Sequence, residues 1–231
     1  MVRRMISRLK QLIANSKNIV FLTGAGISTH SGIPDYRSAN GLYSDNPEYM
    51  LSRPCWKNNY YRHMDFIRDK MNFKDAEPND IHKWIASLQD THNVHIITQN
   101  IDGLHHKAGS KNIINFHGDI NIWHCVKCNK EYNMDYVLEH NECECNGKLN
   151  SNVVLYGDDL HDDSFKAYDI VNNADLIIVI GTSLKVYPFA ELIFENPFCP
   201  KVLINKEHVE TGHYSLEIID DALNIIKQLE E

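Results

Sequence analysis

Residues 19–38 read IVFLTGAGISTHSGIPDYRS. Ile19 to Leu22 form an apolar run of the length of a buried strand. Gly24-Ala25-Gly26 follows directly, and two glycines around one alanine let a backbone turn tightly and approach a ligand closely. Ile27 to His30 reads as the first turn of a helix. Strand, glycine turn and helix start make the geometry that holds a diphosphate on free N–H groups and a helix dipole. The spacing alone is an incomplete fingerprint. Thr29 stands where the third glycine of G-x-G-x-x-G falls, and no acidic residue ends a second strand about 20 residues on. A tight turn in another α/β fold reads the same glycines equally well.

Outward from this stretch, strand and helix patterns alternate. Near-continuous Val/Ile/Leu runs predict strands over 18–23, 94–98, 112–116, 152–156, 175–180 and 201–205, as parallel strands buried on both faces require. Helices are expected near 3–15, 60–71, 78–89, 163–172, 187–194 and 221–230. The fold class is therefore α/β, a doubly wound parallel sheet of Rossmann-like type. Residues 34–80 interrupt the alternation, with Pro34, Pro47, Pro54 and Pro78 in a segment rich in Tyr, Asn and charge. A connection this long is usually functional or mobile. In it, Arg37 suits a phosphate or is a surface cation, and Tyr36 is a site aromatic or a core one.

Polar groups gather where the apolar runs end. TQNIDGLH, 98–105, follows Val94–Ile97, at the strand end where such sheets bind ligands. Gln99, Asn100 and Asp102 suit ribose hydroxyls and a carboxamide, or form a polar loop with a helix-capping Asp. His117 ends another apolar run. A neutral imidazole there can accept a proton near pH 7, though most of the 13 histidines must have ordinary roles. Gly181-Thr182-Ser183-Leu184 sets small hydroxyl residues in a glycine turn, suited to phosphate or ribose. Asn205 ends the next strand, and Ala222 follows Asp220-Asp221. Cys125-Val-Lys-Cys128 and Cys143-Glu-Cys145 supply four thiolates, a full set for tetrahedral Zn²⁺ with no open position. A redox CxxC is the alternative, but it leaves the second pair without a purpose. The segment 119–150 around them is a polar insert that needs its metal to fold.

GAGIST followed by GIPDYRS closely resembles the NAD-binding signature of the sirtuins, the NAD-dependent protein deacylases. The resemblance continues in order through TQNIDGLH, FHG at 116–118, the paired cysteines, VVLYG at 153–157, GTSL at 181–184 and LIN at 203–205, and so covers almost the whole chain. It implies a single catalytic domain over 1–231. The Rossmann-like part is 1–33, 81–118 and 151–231, the cofactor loop and helical module 34–80, and the zinc-binding module 119–150. It implies NAD as co-substrate, held by Gly24, Ala25, Gly26, Tyr36, Arg37, Gln99, Asn100, Asp102, Gly181, Thr182, Ser183, Asn205 and Ala222. One structural zinc would sit on Cys125, Cys128, Cys143 and Cys145. His117 would be the base that takes a proton from a ribose hydroxyl, giving free lysine, nicotinamide and O-acetyl-ADP-ribose. Val154 and Tyr156 would face the acyl-lysine of a protein or peptide partner paired as an added strand. The family commonly has Pro before VVLYG and Glu after it. This chain has Asn152 and Asp158, which bears on the rim of the substrate groove. The family members that prefer acidic acyl groups carry Tyr-x-x-Arg after the cofactor loop. Met64 and Ile67 align with that pair here, so acetyl and longer aliphatic groups are expected over succinyl or malonyl. An NAD glycohydrolase or ADP-ribosyltransferase on the same fold, and a catalytically idle binding protein, are the rival readings.

The bulk properties agree. The 231 residues carry 23 Lys+Arg against 31 Asp+Glu, a net charge of −8, which disfavours a general nucleic-acid or anionic-membrane surface and favours a lysine-bearing partner. No apolar run approaches the roughly 20 residues of a membrane span. The basic N-terminal stretch carries Met5, Ile6, Leu9, Leu12 and Ile13 on one helical face and is expected to pack on the sheet, a presequence being the alternative. Paired cysteine spacing suggests metal rather than disulfides. The protein is expected to be intracellular and soluble, cytoplasmic or nuclear.

Overall fold

The computed structural model describes residues 2–35 and 47–230. Helix α1, Val2–Ala14, leads into β1, Asn18–Thr23. A helical segment follows at α2, Pro47–Met50, α3, Arg53–Asn58, and α4, Tyr60–Lys70. Next come α5, Asp80–Ser87, β2, Asn93–Thr98, α6, Leu104–Lys107, and β3, Ile113–Asn115. The cysteine-bearing part holds β4, Ile122–Cys125, β5, Glu131–Asn133, α7, Met134–Glu139, and β6, Leu149–Ser151. The chain closes with α8, Lys166–Asn172, β7, Leu176–Ile180, β8, Lys201–Asn205, β9, Leu216–Ile219, and α9, Ala222–Glu230.

Six parallel strands form the main sheet in the order β3-β2-β1-β7-β8-β9. Successive strand residues point to opposite faces, and the cores divide accordingly. Ile19 and Phe21 pack with Leu9, Ile85 and Ile225 of α1, α5 and α9 on one side. Val20 and Leu22 pack with Ala167 and Val171 of α8, and with Phe189, on the other. The strand order reverses between β1 and β7, the chain building outward through β2 and β3 on one side of β1 and through β8 and β9 on the other. In doubly wound sheets the carboxyl ends at that switch point form the ligand crevice. Thr23-Gly24 and Ile180-Gly181 are those ends here.

A second core joins the helical segment to the cysteine-bearing sheet, whose strands run in the order β5-β4-β6. Met64, Ile67 and Met71 share it with Trp123, Val137 and Leu149, and Val153 and Leu155 also enter it. Among the described residues no helix is long and apolar enough to cross a membrane.

Three local expectations are corrected. Residues 25–31 form two 3₁₀ turns, Ala25–Ile27 and Thr29–Ser31, and no α-helix. Gly32 in the left-handed region ends the second turn, so this turn contributes no α-helix dipole. Residues 187–194 give a 3₁₀ helix, Phe189–Phe194, rather than an α-helix. Residues 152–156 form no strand: Asn152 and Val153 bend and Tyr156 makes an isolated bridge to Ser52, because their amides go to separate places. Asn152 donates to Ile122 O at 2.8 Å, Val154 to His117 O at 2.9 Å and Tyr156 to Leu51 O at 2.9 Å. The edge strand β9 has a half-polar sequence, LEII, that the strand patterns passed over.

Candidate active site

The glycine turn after β1 packs directly on the turn after β7. Gly26 N–H donates to Gly181 O at 2.8 Å, and Gly181, at φ +64°, would place a Cβ 2.6 Å from Ile27 N. A side chain at 181 would push these turns apart, so the close contact itself requires glycine. One N–H of the turn is thereby used within the protein.

Opposite the glycine turn, the loop after β2 turns its side chains inward. Gln99 N–H donates to Thr23 O at 3.0 Å, and Gln99 Nε2 donates to Thr182 Oγ1 at 3.1 Å. Asn100 Nδ2 donates to Gly24 O at 3.2 Å and to Ser28 Oγ at 3.1 Å. Ser28 Oγ donates in turn to Asp102 Oδ2 at 2.7 Å, while Asp102 Oδ1 accepts from Leu104 N–H at 2.9 Å. Asp102 thus both lines the site and accepts from the first amide of the short α6, whose N-cap is Gly103. Burial pushes its carboxyl above the ordinary value, against the hydrogen bonds from Leu104 and Ser28 that favour the charged form. Ser28 is buried and joins Asn100 to Asp102. In the sequence it reads as part of a helical first turn. The available signal was its place in the glycine-rich stretch, where a small hydroxyl faces inward.

His117 follows β3. Its Nδ1 lies 3.4 Å from Gln99 O, and a carbonyl can only accept, so Nδ1 carries the proton. The neutral tautomer then leaves Nε2 as the basic atom, and among the described residues Nε2 has no hydrogen-bond partner. Burial pushes the imidazole below its ordinary value, opposed by the Gln99 contact, so the ring is neutral near pH 7. Phe116 and Phe189 pack edgewise and obliquely on it, with ring centres at 5.5 and 6.2 Å. Gly118 allows the approach of the next segment, since a Cβ there would fall 1.9 Å from Asn152 O.

That segment, 153–156, alternates. Val153 and Leu155 are buried, Val154 is half-buried and Tyr156 is exposed. The Val154 N–H bond to His117 O places Val154 beside the histidine, while Tyr156 is bonded to Leu51 and Arg53. At the far end of the crevice, Asn205 closes β8, with its Nδ2 on Glu207 O at 2.9 Å. Ala222 is buried and opens α9, next to Asp221, which accepts from His30 at 2.8 Å and Lys206 at 3.0 Å. Gly24, Ala25, Gly26, Gln99, Asn100, Asp102, Gly181 and Thr182 are brought together around the switch point, and Ser183 follows in the same turn. Tyr36 and Arg37 lie outside the described residues.

The four cysteines form a separate cluster. The Sγ atoms of Cys125, Cys128, Cys143 and Cys145 lie within 4.8 Å of one another, with Cys125–Cys145 and Cys128–Cys143 at 3.5 Å. A tetrahedron of Zn–S bonds of about 2.3 Å has sulfurs about 3.8 Å apart, so this donor set fits zinc. Each pair sits on a tight turn closed by a left-handed Asn. Asn129, at φ 59°, donates to Cys125 O at 2.9 Å, and Asn146, at φ 58°, donates to Cys143 O at 2.8 Å. Amides of Lys127 and Cys145 point at Cys125 and Cys143 sulfurs at 3.4 and 3.5 Å, which favours thiolates. Four protein ligands leave no open position, so the site is structural in kind. A lone redox pair does not account for this arrangement.

Comparison with known proteins bears on the whole chain. Residues 24–188 match the model of the Sir2 family. An NAD-dependent protein deacetylase of Listeria innocua is 40% identical over 230 residues, covering 97% of this chain and 100% of that one. One from Clostridium tetani is 43% identical over 231 residues, covering 94% of each. Among solved structures, a Sir2 protein with a deacetylated p53 peptide and 3′-O-acetyl ADP-ribose superposes with a TM-score of 0.90 at 30% identity, over 97% of this chain and 96% of that one. A Sir2–p53 peptide–NAD⁺ structure gives 0.85 at 30% identity over 97% and 96%. The match over most of the chain, the shared fold and the near-full-length relatives agree: the chain belongs to the Sir2 family.

Proposed function

We propose that this protein is an NAD-dependent protein-lysine deacetylase that works from the crevice at the β1–β7 switch point. The observation that supports this most is the placement of His117. It is tied to both sides of the crevice: Nδ1 lies 3.4 Å from Gln99 O, one residue before Asn100 of the Asn100–Ser28–Asp102 network, and its carbonyl accepts from Val154 N–H at 2.9 Å. A pocket suited to a carboxamide and ribose and the segment that would face a peptide thus meet at one histidine.

On this reading Asn100 and Asp102, braced by Ser28, hold the nicotinamide end of the dinucleotide. Gln99 meets its ribose. Gly24, Ala25, Gly26, Gly181, Thr182 and Ser183 hold the diphosphate, with Arg37 pairing a phosphate and Tyr36 near the nicotinamide and the acyl group. Asn205 and Ala222 meet the adenosine. When bound, NAD supplies the departing nicotinamide and the ribose hydroxyls that receive the acyl group. His117 takes a proton from such a hydroxyl at Nε2 while Gln99 O keeps the ring oriented through Nδ1–H. Val154 and Tyr156 face the acyl-lysine. The four cysteines hold one zinc ion that fixes the module over 119–150, which completes the division with 34–80 and the Rossmann-like remainder. The relatives named above are bacterial, and we place the protein in the cytoplasm; the nuclear alternative has no support among them. Solved relatives carry acetyl-ADP-ribose products and peptides, one of them propionylated. The test is mass spectrometry of an acetyl-lysine peptide incubated with the protein. Loss of the acetyl group only when NAD is present supports the reading, and an unchanged peptide with NAD present refutes it.

The inner face of α4 bears on the acyl group accepted. Met64 and Ile67 are fully buried there, and His63 is buried with Nδ1 2.7 Å from Met50 O, its imidazole held below the ordinary value by burial. Arg62 is exposed, and Arg68 spends its guanidinium on Val137 O, His140 O and Asn141 Oδ1 at 2.9, 3.1 and 2.6 Å. No cation from α4 enters the apolar core, so an acyl carboxylate placed against Met64 and Ile67 would find no partner on that helix, at a cost of several kcal/mol. On one peptide sequence, kcat/KM for succinyl-lysine is expected to fall at least about tenfold below that for acetyl-lysine. Faster turnover of succinyl- than of acetyl- and myristoyl-lysine would contradict this placement.

A further inference from the structure

Residues 153–157 are held from two sides. Val154 N–H is tied to His117 O, and two residues on, Tyr156 pairs with the turn before α3. Its N–H donates to Leu51 O and its carbonyl accepts from Arg53 N–H, both at 2.9 Å. A single bridged residue is a weak anchor for a segment that turns immediately afterwards, at Gly157 with φ +93°. Side chains complete it. Arg53 Nε and Nη2 donate to the two oxygens of Asp158 at 2.7 and 2.6 Å, and Nη1 donates to Asn150 Oδ1 at 2.8 Å. The guanidinium carbon lies 4.9 Å from the centre of the Trp56 ring. Asp158 Oδ2 also accepts from Leu155 N–H at 3.1 Å, and Asp158 N–H donates to Leu155 O at 2.9 Å, which closes the turn.

The two charged side chains are only 21% and 18% exposed, so the pair is largely shielded from solvent competition. A bidentate guanidinium–carboxylate pair fixes direction as well as distance, which an ammonium cannot. Arg53 itself is rigidly placed. It begins α3, where Ser52 Oγ accepts from Cys55 N–H at 3.2 Å and Pro54 presets the first turn. Arg53 thus joins three parts of the molecule, namely α3, strand β6 through Asn150, and the turn after Tyr156.

We propose that the Arg53–Asp158 pair is a positioning clamp for the acyl-lysine substrate. It sets the height and direction of residues 154–156 relative to His117, and so where the peptide edge presents its lysine. Neither residue touches the reacting atoms; both act through the segment between them. Their charges cancel, so the clamp works by geometry and not by attracting a charged peptide. This rests on the deacetylase reading above.

The experiment compares Arg53→Met, Arg53→Lys, Asp158→Asn and the double variant Arg53→Met/Asp158→Asn with the wild type. KM for an acetyl-lysine peptide and KM for NAD are measured separately, beside zinc content and melting temperature. Each single variant is expected to raise the peptide KM roughly tenfold, the size of a lost charge-assisted hydrogen-bond pair. Arg53→Lys should fail nearly as badly as Arg53→Met, because the fork is lost while the charge stays. The double variant should be no worse than either single one, as for residues acting as one unit. KM for NAD should stay within about twofold. An unchanged peptide KM, additive effects in the double variant, or both KM values moving together with zinc loss would each overturn the clamp. A wild-type protein that leaves the peptide acetylated refutes the deacetylase reading itself, a result distinct from an active wild type with indifferent variants.

Discussion

His117→Ala is expected to lower deacetylation by roughly a hundred- to ten-thousand-fold, the range that loss of a positioned general base removes. NAD binding should change little. The ring touches Gln99 O and two phenylalanines, while the Asn100–Ser28–Asp102 network is built without it. The loss should therefore fall on kcat, measured with saturating peptide and NAD, while NAD affinity read by titration calorimetry stays close to wild type. The pH profile gives a second reading. Only the neutral ring can accept the proton, and burial pushes its pKa below the ordinary value. Wild-type activity is therefore expected to persist as pH falls past the point where a free imidazole titrates, and to be lost as pH falls through the lowered value. Near-normal turnover by the alanine variant would remove His117 from the reaction.

Cys143→Ser should remove the bound metal and most of the activity together. Metal analysis of the wild type is expected to find about one zinc per chain, as four thiolates at these distances require. The consequence for a crevice built elsewhere follows from shared packing. Cys125 and Cys143 are buried in the same core as Met64, Trp123, Val153 and Leu155, and the last two belong to the segment that meets His117. Structural zinc contributes on the order of 10 kcal/mol to folding such a module, so its loss should disorder the module and loosen residues 153–157. A lower melting temperature, poorer solubility and a higher peptide KM are expected with it. Fully active protein purified without metal would contradict this.

Much of this was readable from residue order. Leu176–Ile180 and Ile19–Leu22 are apolar at every position because parallel strands are buried on both faces, and that pattern survives without any context. The cysteine spacing states its own chemistry, and the structure adds that sulfurs of opposite pairs meet, Cys125 with Cys145 and Cys128 with Cys143 at 3.5 Å. What could not be read depends on distant partners. Residues 152–156 carry a strand composition, yet their amides are taken by Ile122, His117 and Leu51, so no ladder forms. The turn after Gly26 looks like a helix start, but it closes as two 3₁₀ turns that end at the left-handed Gly32, packed on Gly181 from far along the chain. Ser28 has no periodicity to reveal it. Its meaning comes from Asn100 and Asp102, which the fold delivers from another strand. The Arg53–Asp158 pair is illegible for the same reason, since two common charged residues gain a role only when α3 and the turn after Tyr156 meet.

The reading of the crevice stands on one transfer, from the ε-amine of lysine to a ribose of NAD, and product stoichiometry measures it directly. An acetyl-lysine peptide and NAD are incubated with the zinc-loaded protein, and deacetylated peptide, nicotinamide and O-acetyl-ADP-ribose are quantified by mass spectrometry in the same sample. The three are expected to rise together in equal amounts. Nicotinamide and free ADP-ribose formed while the peptide keeps its acetyl group would show an NAD hydrolase instead, and would contradict the assignment of residues 153–157 as a substrate edge.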